Sequence, residues 1–145
     1  MLWRIVAVGK PKLEFARLGI AEYAARLEKF GEVEFVAVKA SNKDQESAAL
    51  LEKSGGFRLV LDGRGKALTS EALSDKVRDI RESGRSVCSV IVGGADGLSA
   101  TVTSRADLLW ALGPLTLQHE MALLLALEQL YRAHTILAGF PYHRP

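Results

Sequence analysis

Few side chains in this chain are suited to move a proton or hold an anion. The histidines are His119, His134 and His143, and the one cysteine is Cys88. An imidazole titrates near neutrality and can serve as a general base or acid. These residues show no ligand spacing for a metal, so no metal site is expected. His143 stands in the tail Pro141-Tyr142-His143-Arg144-Pro145, where the prolines forbid a regular element and no core needs filling. From composition the tail is either a frayed terminus or a functional element. Glu128 and Arg132 lie four apart in a helical run, the spacing of an intrahelical ion pair. The alternative is that the pair orients the tail or directs Arg132 at a phosphate. Tyr131 beside them reads as core packing or as part of the same group. His119, at a helix start, reads as capping or structural ahead of catalytic. His134 reads as a surface or helix-end residue, well placed there if protonated. Cys88, inside the apolar run 87–92, reads as a small buried hydrophobe.

Residues 61–63, 93–97 and 112–117 each follow a run with strand character. In parallel sheets ligands bind at the carboxyl ends of the strands, so these loops are expected to converge on one pocket. Gly93 and Gly94 leave room for a ligand to approach the backbone, although a glycine pair after a strand also serves as a plain turn. Gly93-Gly94-Ala95-Asp96-Gly97 lacks the dinucleotide fingerprint spacing, and Gly63-Arg64-Gly65-Lys66 lacks the length of a phosphate-binding P-loop.

The elements that must carry these loops alternate between β-rich and amphipathic runs, the pattern of an α/β fold with a parallel sheet flanked by helices. Strands are expected at 2–8, 33–38, 58–61, 87–92 and 108–112. Helices are expected at 13–30, 70–83, 99–105 and 118–133, with a short helix at best in the polar stretch 41–53. The third strand is expected to end at Leu61, before Asp62-Gly63-Arg64-Gly65. The run 121–127 is apolar on every face, whereas a surface helix keeps a polar side. It therefore asks for cover beyond its own sheet, most economically from a second subunit.

With 145 residues, 48% hydrophobic and 25% charged, the chain reads as one globular domain, 1–145. No apolar stretch spans a bilayer, the first ten residues lack the order of a signal peptide, and a lone cysteine fits a reducing compartment. A cytoplasmic location is expected. The net charge of +2 is compatible with an RNA partner without requiring one.

Several stretches together are more specific. Ile5-Val6-Ala7-Val8-Gly9, Val60-Leu61-Asp62-Gly63-Arg64-Gly65 and Ile91-Val92-Gly93-Gly94-Ala95-Asp96-Gly97-Leu98-Ser99 are followed by Leu115-Thr116-Leu117, Glu128-Gln129-Leu130-Tyr131-Arg132-Ala133 and Pro141-Tyr142-His143-Arg144. In this order they resemble the RlmH family, small SPOUT-class enzymes that methylate N3 of a pseudouridine in 23S ribosomal RNA. The resemblance runs over essentially the whole chain. It implies a SPOUT-type α/β fold with a C-terminal trefoil knot, and a homodimer with the cofactor sites near the interface. It also implies S-adenosylmethionine as methyl donor and large-subunit RNA or the ribosome as partner. By position in the motifs, cofactor binding falls on Leu61, Gly93, Leu112, Gly113, Pro114, Leu115, Thr116 and Leu117. Catalysis falls on His143, Arg144 and Tyr142, and RNA contact on Arg132 and Arg144.

Two positions depart from the family pattern. Gln118 stands where proline usually precedes the histidine, which is expected to alter the helix start. Leu123 stands where arginine is common, which removes a charge expected to touch RNA or the methyl donor. These departures favour one rival reading, a non-catalytic ribosome-assembly or RNA-binding dimer on the same fold. The glycine loop alone suggests another, a metabolic enzyme using a nucleotide on an unknotted sheet.

Overall fold

The computed structural model describes all residues, 1–145. Strands β1 (Leu2–Val8), β2 (Val33–Val38), β3 (Phe57–Ala67), β4 (Val87–Val92) and β5 (Leu108–Ala111) alternate with helices α1 (Glu14–Leu27), α2 (Lys43–Lys53), α3 (Ser70–Glu82), α4 (Ala100–Thr103) and α5 (His119–Ala138). The strands form one sheet in the order β2-β1-β4-β3-β5, and every pairing is parallel. A parallel sheet needs cover on both faces, and the strand sequences supply it by alternation. Trp3, Ile5, Leu59 and Val90 pack on one face beneath α1, α3 and α5. Val6, Val60 and Ile91 pack on the other beneath α2 and α4. The central strand β4 is buried from Cys88 to Val92, and burial pushes the Cys88 thiol far above its ordinary pKa.

Three boundaries depart from the sequence expectation. β3 does not end at Leu61 but runs to Ala67, with a register shift against β5 between Leu61 and Lys66. Gly65 permits this, because a Cβ there would lie 2.4 Å from the carbonyl oxygen of Leu109. The polar stretch 41–53 forms an 11-residue helix. Asn42 caps it by accepting from the Gln45 amide, and Glu46, Ser47 and Leu50 are buried. α5 extends to Ala138, where Gly139 ends it in the left-handed conformation.

The sides of α5 are fixed by its neighbours. Leu123, Ala126, Leu127, Leu130 and Ala133 lie in the main core. Gly19 of α1 sits directly under Leu124, where a Cβ would come within 2.8 Å of Leu124 Cδ1. No side chain of its own caps α1. Instead Glu120 of α5 accepts from the amides of Lys12 at 2.7 Å and Leu13 at 3.0 Å. On the other flank, the Ser70 hydroxyl of α3 meets Gln129 Oε1 at 2.6 Å. The apolar run 121–127 is thus largely covered within the subunit, although Leu125 stays 40% exposed. The departure at Leu123 is a core substitution, since this side chain is buried rather than presented to RNA. Gln118 supplies the cap of α5, its Oε1 accepting from the amides of Glu120 and Met121.

His134 is not a surface residue, because α5 continues past it. It is 1% exposed, stacked on Phe30 with ring centroids 5.1 Å apart. Its Nε2 accepts from Trp3 Nε1 at 3.1 Å. Trp can only donate, so the neutral ring carries its hydrogen on Nδ1, which has no partner. Desolvation lowers the His134 pKa to about 4. Above the ordinary histidine value the ring is neutral whether folded or unfolded, and stability is complete. As pH falls below about 6.5 the unfolded chain takes up a proton that the folded ring refuses, so stability drops until about pH 4. Urea unfolding should show a loss of about 3 kcal/mol across that window, and His134→Gln should remove most of it. An unchanged pH dependence in that variant would assign the loss to other groups.

Candidate active site

The carboxyl ends of β4 and β5 and the middle of β3, adjacent in the sheet, open into one cleft of about 440 Å³. Its wall is built from Leu61, Asp62 and Gly63 within β3, from Val92 at the end of β4 with Gly93, Gly94, Ala95, Gly97 and Leu98 after it, and from Leu112, Gly113, Pro114, Leu115, Thr116 and Leu117 after β5. His119 and Ala122 of α5 and Trp110 of β5 complete it. Every residue expected to bind a cofactor lies on this wall. Pockets for small organic ligands span roughly 300–1,000 Å³, so the volume suits a nucleoside-sized molecule.

The glycine loop is held from below by α2. Ser47 Oγ accepts from the Ser99 amide at 3.0 Å, at the end of the loop. A Cβ on Gly93 would sit 2.9 Å from Leu98 Cγ, and one on Gly94 would sit 3.1 Å from Glu46 Oε1. Gly93 is therefore closely packed within its own loop, and a side chain at Gly94 would have to displace the end of Glu46. Gly63 differs, because a Cβ there meets nothing within 4 Å while the residue faces the cleft. Beside it Asp62 pairs with Arg64 at 2.8 Å, and that hydrogen bond holds the Asp62 carboxyl below its usual range.

The loop after β5 has a distinct chemistry. The backbone amides of Gly113, Leu115, Thr116 and Leu117 donate no hydrogen bond to another backbone group. With no backbone partner, these groups are open to water or to a ligand in the cleft that their residues line. An S-adenosylmethionine adenine, with its donor and acceptor edge, fits such a wall of peptide groups and leucines.

The tail residues form a second cluster, apart from the cleft. Tyr142 donates from its hydroxyl to Glu128 Oε1 at 2.9 Å and meets the Tyr23 hydroxyl at 3.0 Å. Burial, then the Tyr23 and Glu128 hydrogen bonds, push the Tyr142 hydroxyl pKa up. Arg132 pairs with Glu128 at 2.6 Å and lies over the Tyr142 ring, 4.7 Å from its centroid. Arg132 Nη1 reaches His143 Nδ1 at 3.2 Å, and His143 Nε2 reaches Glu71 Oε1 at 2.8 Å. Arg144 is exposed. Glu128 and Arg132 thus form the expected ion pair and also orient the tail. Sequence reasoning missed Tyr23 and Glu71. Tyr23 lies on α1 and Glu71 in the first turn of α3, and neither carries a local signal of contact with the tail.

Helix α5 runs from one cluster to the other. Ala122 faces the cleft and Arg132 holds the tail. Ten residues of helix separate them, about 15 Å of axial rise.

The family model described as "Predicted SPOUT methyltransferase" matches residues 1–143. A protein of Thermus thermophilus named ribosomal RNA large subunit methyltransferase H is 48% identical over 146 residues, covering 100% of both chains. Its namesake from Deinococcus radiodurans is 41% identical, covering 99% of both. Among solved structures, a methylase family protein of Haemophilus influenzae aligns with a TM-score of 0.58 at 13% identity, over 99% of this chain and 70% of that one. A Legionella pneumophila methyltransferase solved with bound S-adenosylmethionine aligns with a TM-score of 0.50 at 16% identity, over 91% of this chain and 66% of that one. At such identities the solved structures speak for the fold alone, whereas the full-length sequence matches and the family model establish that this chain belongs to the SPOUT methyltransferases and, among them, to the RlmH family.

Proposed function

We propose that the chain is an S-adenosylmethionine-dependent methyltransferase of large-subunit ribosomal RNA, acting on N3 of a pseudouridine in the 23S molecule. The observation that carries this reading is the cleft, in which Leu61, Gly93 and residues 112–117 meet and the last loop keeps its peptide groups unpaired with other backbone. The substrate class follows the name borne by the full-length relatives. Leu61, Gly93, Leu112, Gly113, Pro114, Leu115, Thr116 and Leu117 hold the cofactor, which supplies a methyl group already activated on a sulfonium. No helix is long and apolar enough to cross a membrane, which suits an enzyme meeting ribosomes in the cytoplasm. The trefoil knot belongs to the same proposal.

The protein's own task is to orient the acceptor nitrogen and receive its proton. His143 serves as the base, Tyr142 fixes the tail, and Arg132 and Arg144 hold RNA phosphate or the developing anion. In the docked tail Nδ1 of His143 accepts from Arg132, so the ring can take a proton there only after Arg132 turns to another anion. An arriving phosphate is such an anion, and RNA binding would thereby free the base.

A homodimer completes the site. Within one subunit the tail and the cleft stand at different levels of α5. Phe15 and Leu18 of α1, each 55% exposed, and Leu125 of α5 present apolar surface on two helices that pack directly together. A second copy covering this surface could bring its tail to the cleft.

Labelled donor incubated with ribosomes and with free rRNA should give methyl transfer by the wild-type protein. His143→Ala should bind cofactor normally and lose about 10²–10⁴-fold in rate. Binding of RNA without any turnover by the wild type would instead support the non-catalytic dimer. Gly63→Val should weaken cofactor binding in calorimetry by about tenfold or more, some 1.4 kcal/mol, with an unchanged melting temperature. Full affinity in that folded variant would move the cofactor elsewhere. A buried leucine contributes roughly 1.5–3 kcal/mol, and two-fold symmetry doubles it. Light scattering should therefore find a dimer that Leu125→Asp splits, and a monomeric wild type would refute the shared site.

A further inference from the structure

We propose that Glu71 is a positioning residue for methyl transfer, holding the His143 ring so that Nε2 carries the hydrogen and Nδ1 is left to receive a proton. This rests on the reading of His143 as the base. The assignment of the ring hydrogen follows from the partners. A guanidinium has donors only and an ionised carboxylate has acceptors only. With Arg132 Nη1 at 3.2 Å from Nδ1 and Glu71 Oε1 at 2.8 Å from Nε2, Nδ1 must accept and Nε2 must donate. The two partners come from different helices, α3 and α5, so the ring is gripped from both sides. Its side chain is 17% exposed, although that of Glu71 is 56% exposed. The preceding residue, Tyr142, is pinned separately by Glu128 and Tyr23. Adjacent side chains tied to different elements fix both the path of the tail and the turn of the ring.

The plainer account of Glu71 is an acid in the first turn of a helix, where its charge complements the dipole. The cap of α3 does not need it, because Thr69 accepts from the Ala72 amide. The hydrogen bond with His143 is the foremost cause lowering the Glu71 carboxyl, ahead of its own backbone amide. A carboxylate that sets the tautomer and angle of a basic histidine is a general device for placing the second nitrogen. Here the carboxylate lies on a helix that contributes nothing to the wall of the cleft.

Glu71→Gln and Glu71→Ala in the full-length protein separate the two accounts. Gln keeps an acceptor and loses the charge, whereas Ala loses both. A positioning role predicts that Ala lowers kcat by about 10- to 100-fold with KM for RNA and cofactor affinity unchanged, and that Gln restores most of it. A dipole role predicts that Gln and Ala behave alike, and that result would overturn the proposal. Long-range ¹H–¹⁵N spectra of the protein without cofactor supply an independent readout. Wild type and Gln should show an Nε2–H of His143 shielded from exchange by its acceptor, and Ala an Nε2–H that exchanges rapidly with water, since only Arg132 at Nδ1 still holds the ring. Identical ring spectra in all three proteins would also overturn it. His143→Ala run alongside distinguishes the failures. If it retains methyl transfer, the reading of the base falls and this inference with it. If it is inactive while Glu71→Ala is normal, only the inference falls.

Discussion

The buried ridge of α5, from Leu123 through Leu127 to Leu130, seats that helix on the sheet between α1 and α3, and both the cleft and the tail cluster depend on it. Its first turn closes the cleft with His119 and Ala122. Its middle carries Glu128 and Arg132, which hold the tail. Glu120 at the start also caps α1, so a shift of α5 along its axis would break a helix cap and open the cleft together. The contact that fixes the level is Gly19 beneath Leu124, where no larger side chain fits without movement.

A helix seated this firmly cannot bring its own ends together. The tail leaves α5 at Gly139 and returns along the same helix toward Glu128, and the network of Tyr23, Tyr142, Arg132, His143 and Glu71 holds it there. The separation of cleft and tail in one subunit therefore follows from rigid packing. It makes a symmetric partner the simplest means of combining them.

What could be read in the sequence follows the range of the forces involved. The cleft was legible because strand alternation, glycine placement and the rule for parallel sheets are local or general, and Leu61, Gly93 and 112–117 fell where expected. The overrun of β3 was not, since Asp62-Gly63-Arg64-Gly65 has the composition of a turn. Only the close approach of Leu109 to Gly65 makes it strand. The polar stretch before Ser54 hid a helix because Ser47 is buried as a strut for a distant loop and Glu46 is buried against the Ser41 amide that leads into the helix. His134 was misplaced for a similar reason, its partner being Trp3, 131 positions away. Glu71 and His143 are 72 apart, and no periodicity joins them. The knot and the role of each tail residue came with the family resemblance and not from patterning, whereas the expectation of a second subunit also rested on the apolar run 121–127.

The loop after β5 has kept its amides out of the backbone hydrogen-bond network, and this bears on the thermodynamics of the whole chain. Hydrogens on Gly113, Leu115, Thr116 and Leu117 lack the protection that a ladder confers, so this segment belongs to the low-stability end of the molecule. A ligand that engages those groups adds bonds the polypeptide left unmade, and it binds the folded chain alone. Folding and occupancy are then linked, and the free energy of unfolding grows with the logarithm of ligand concentration above its dissociation constant. In a cell the standing supply of cofactor would set the resilience of the protein along with its rate.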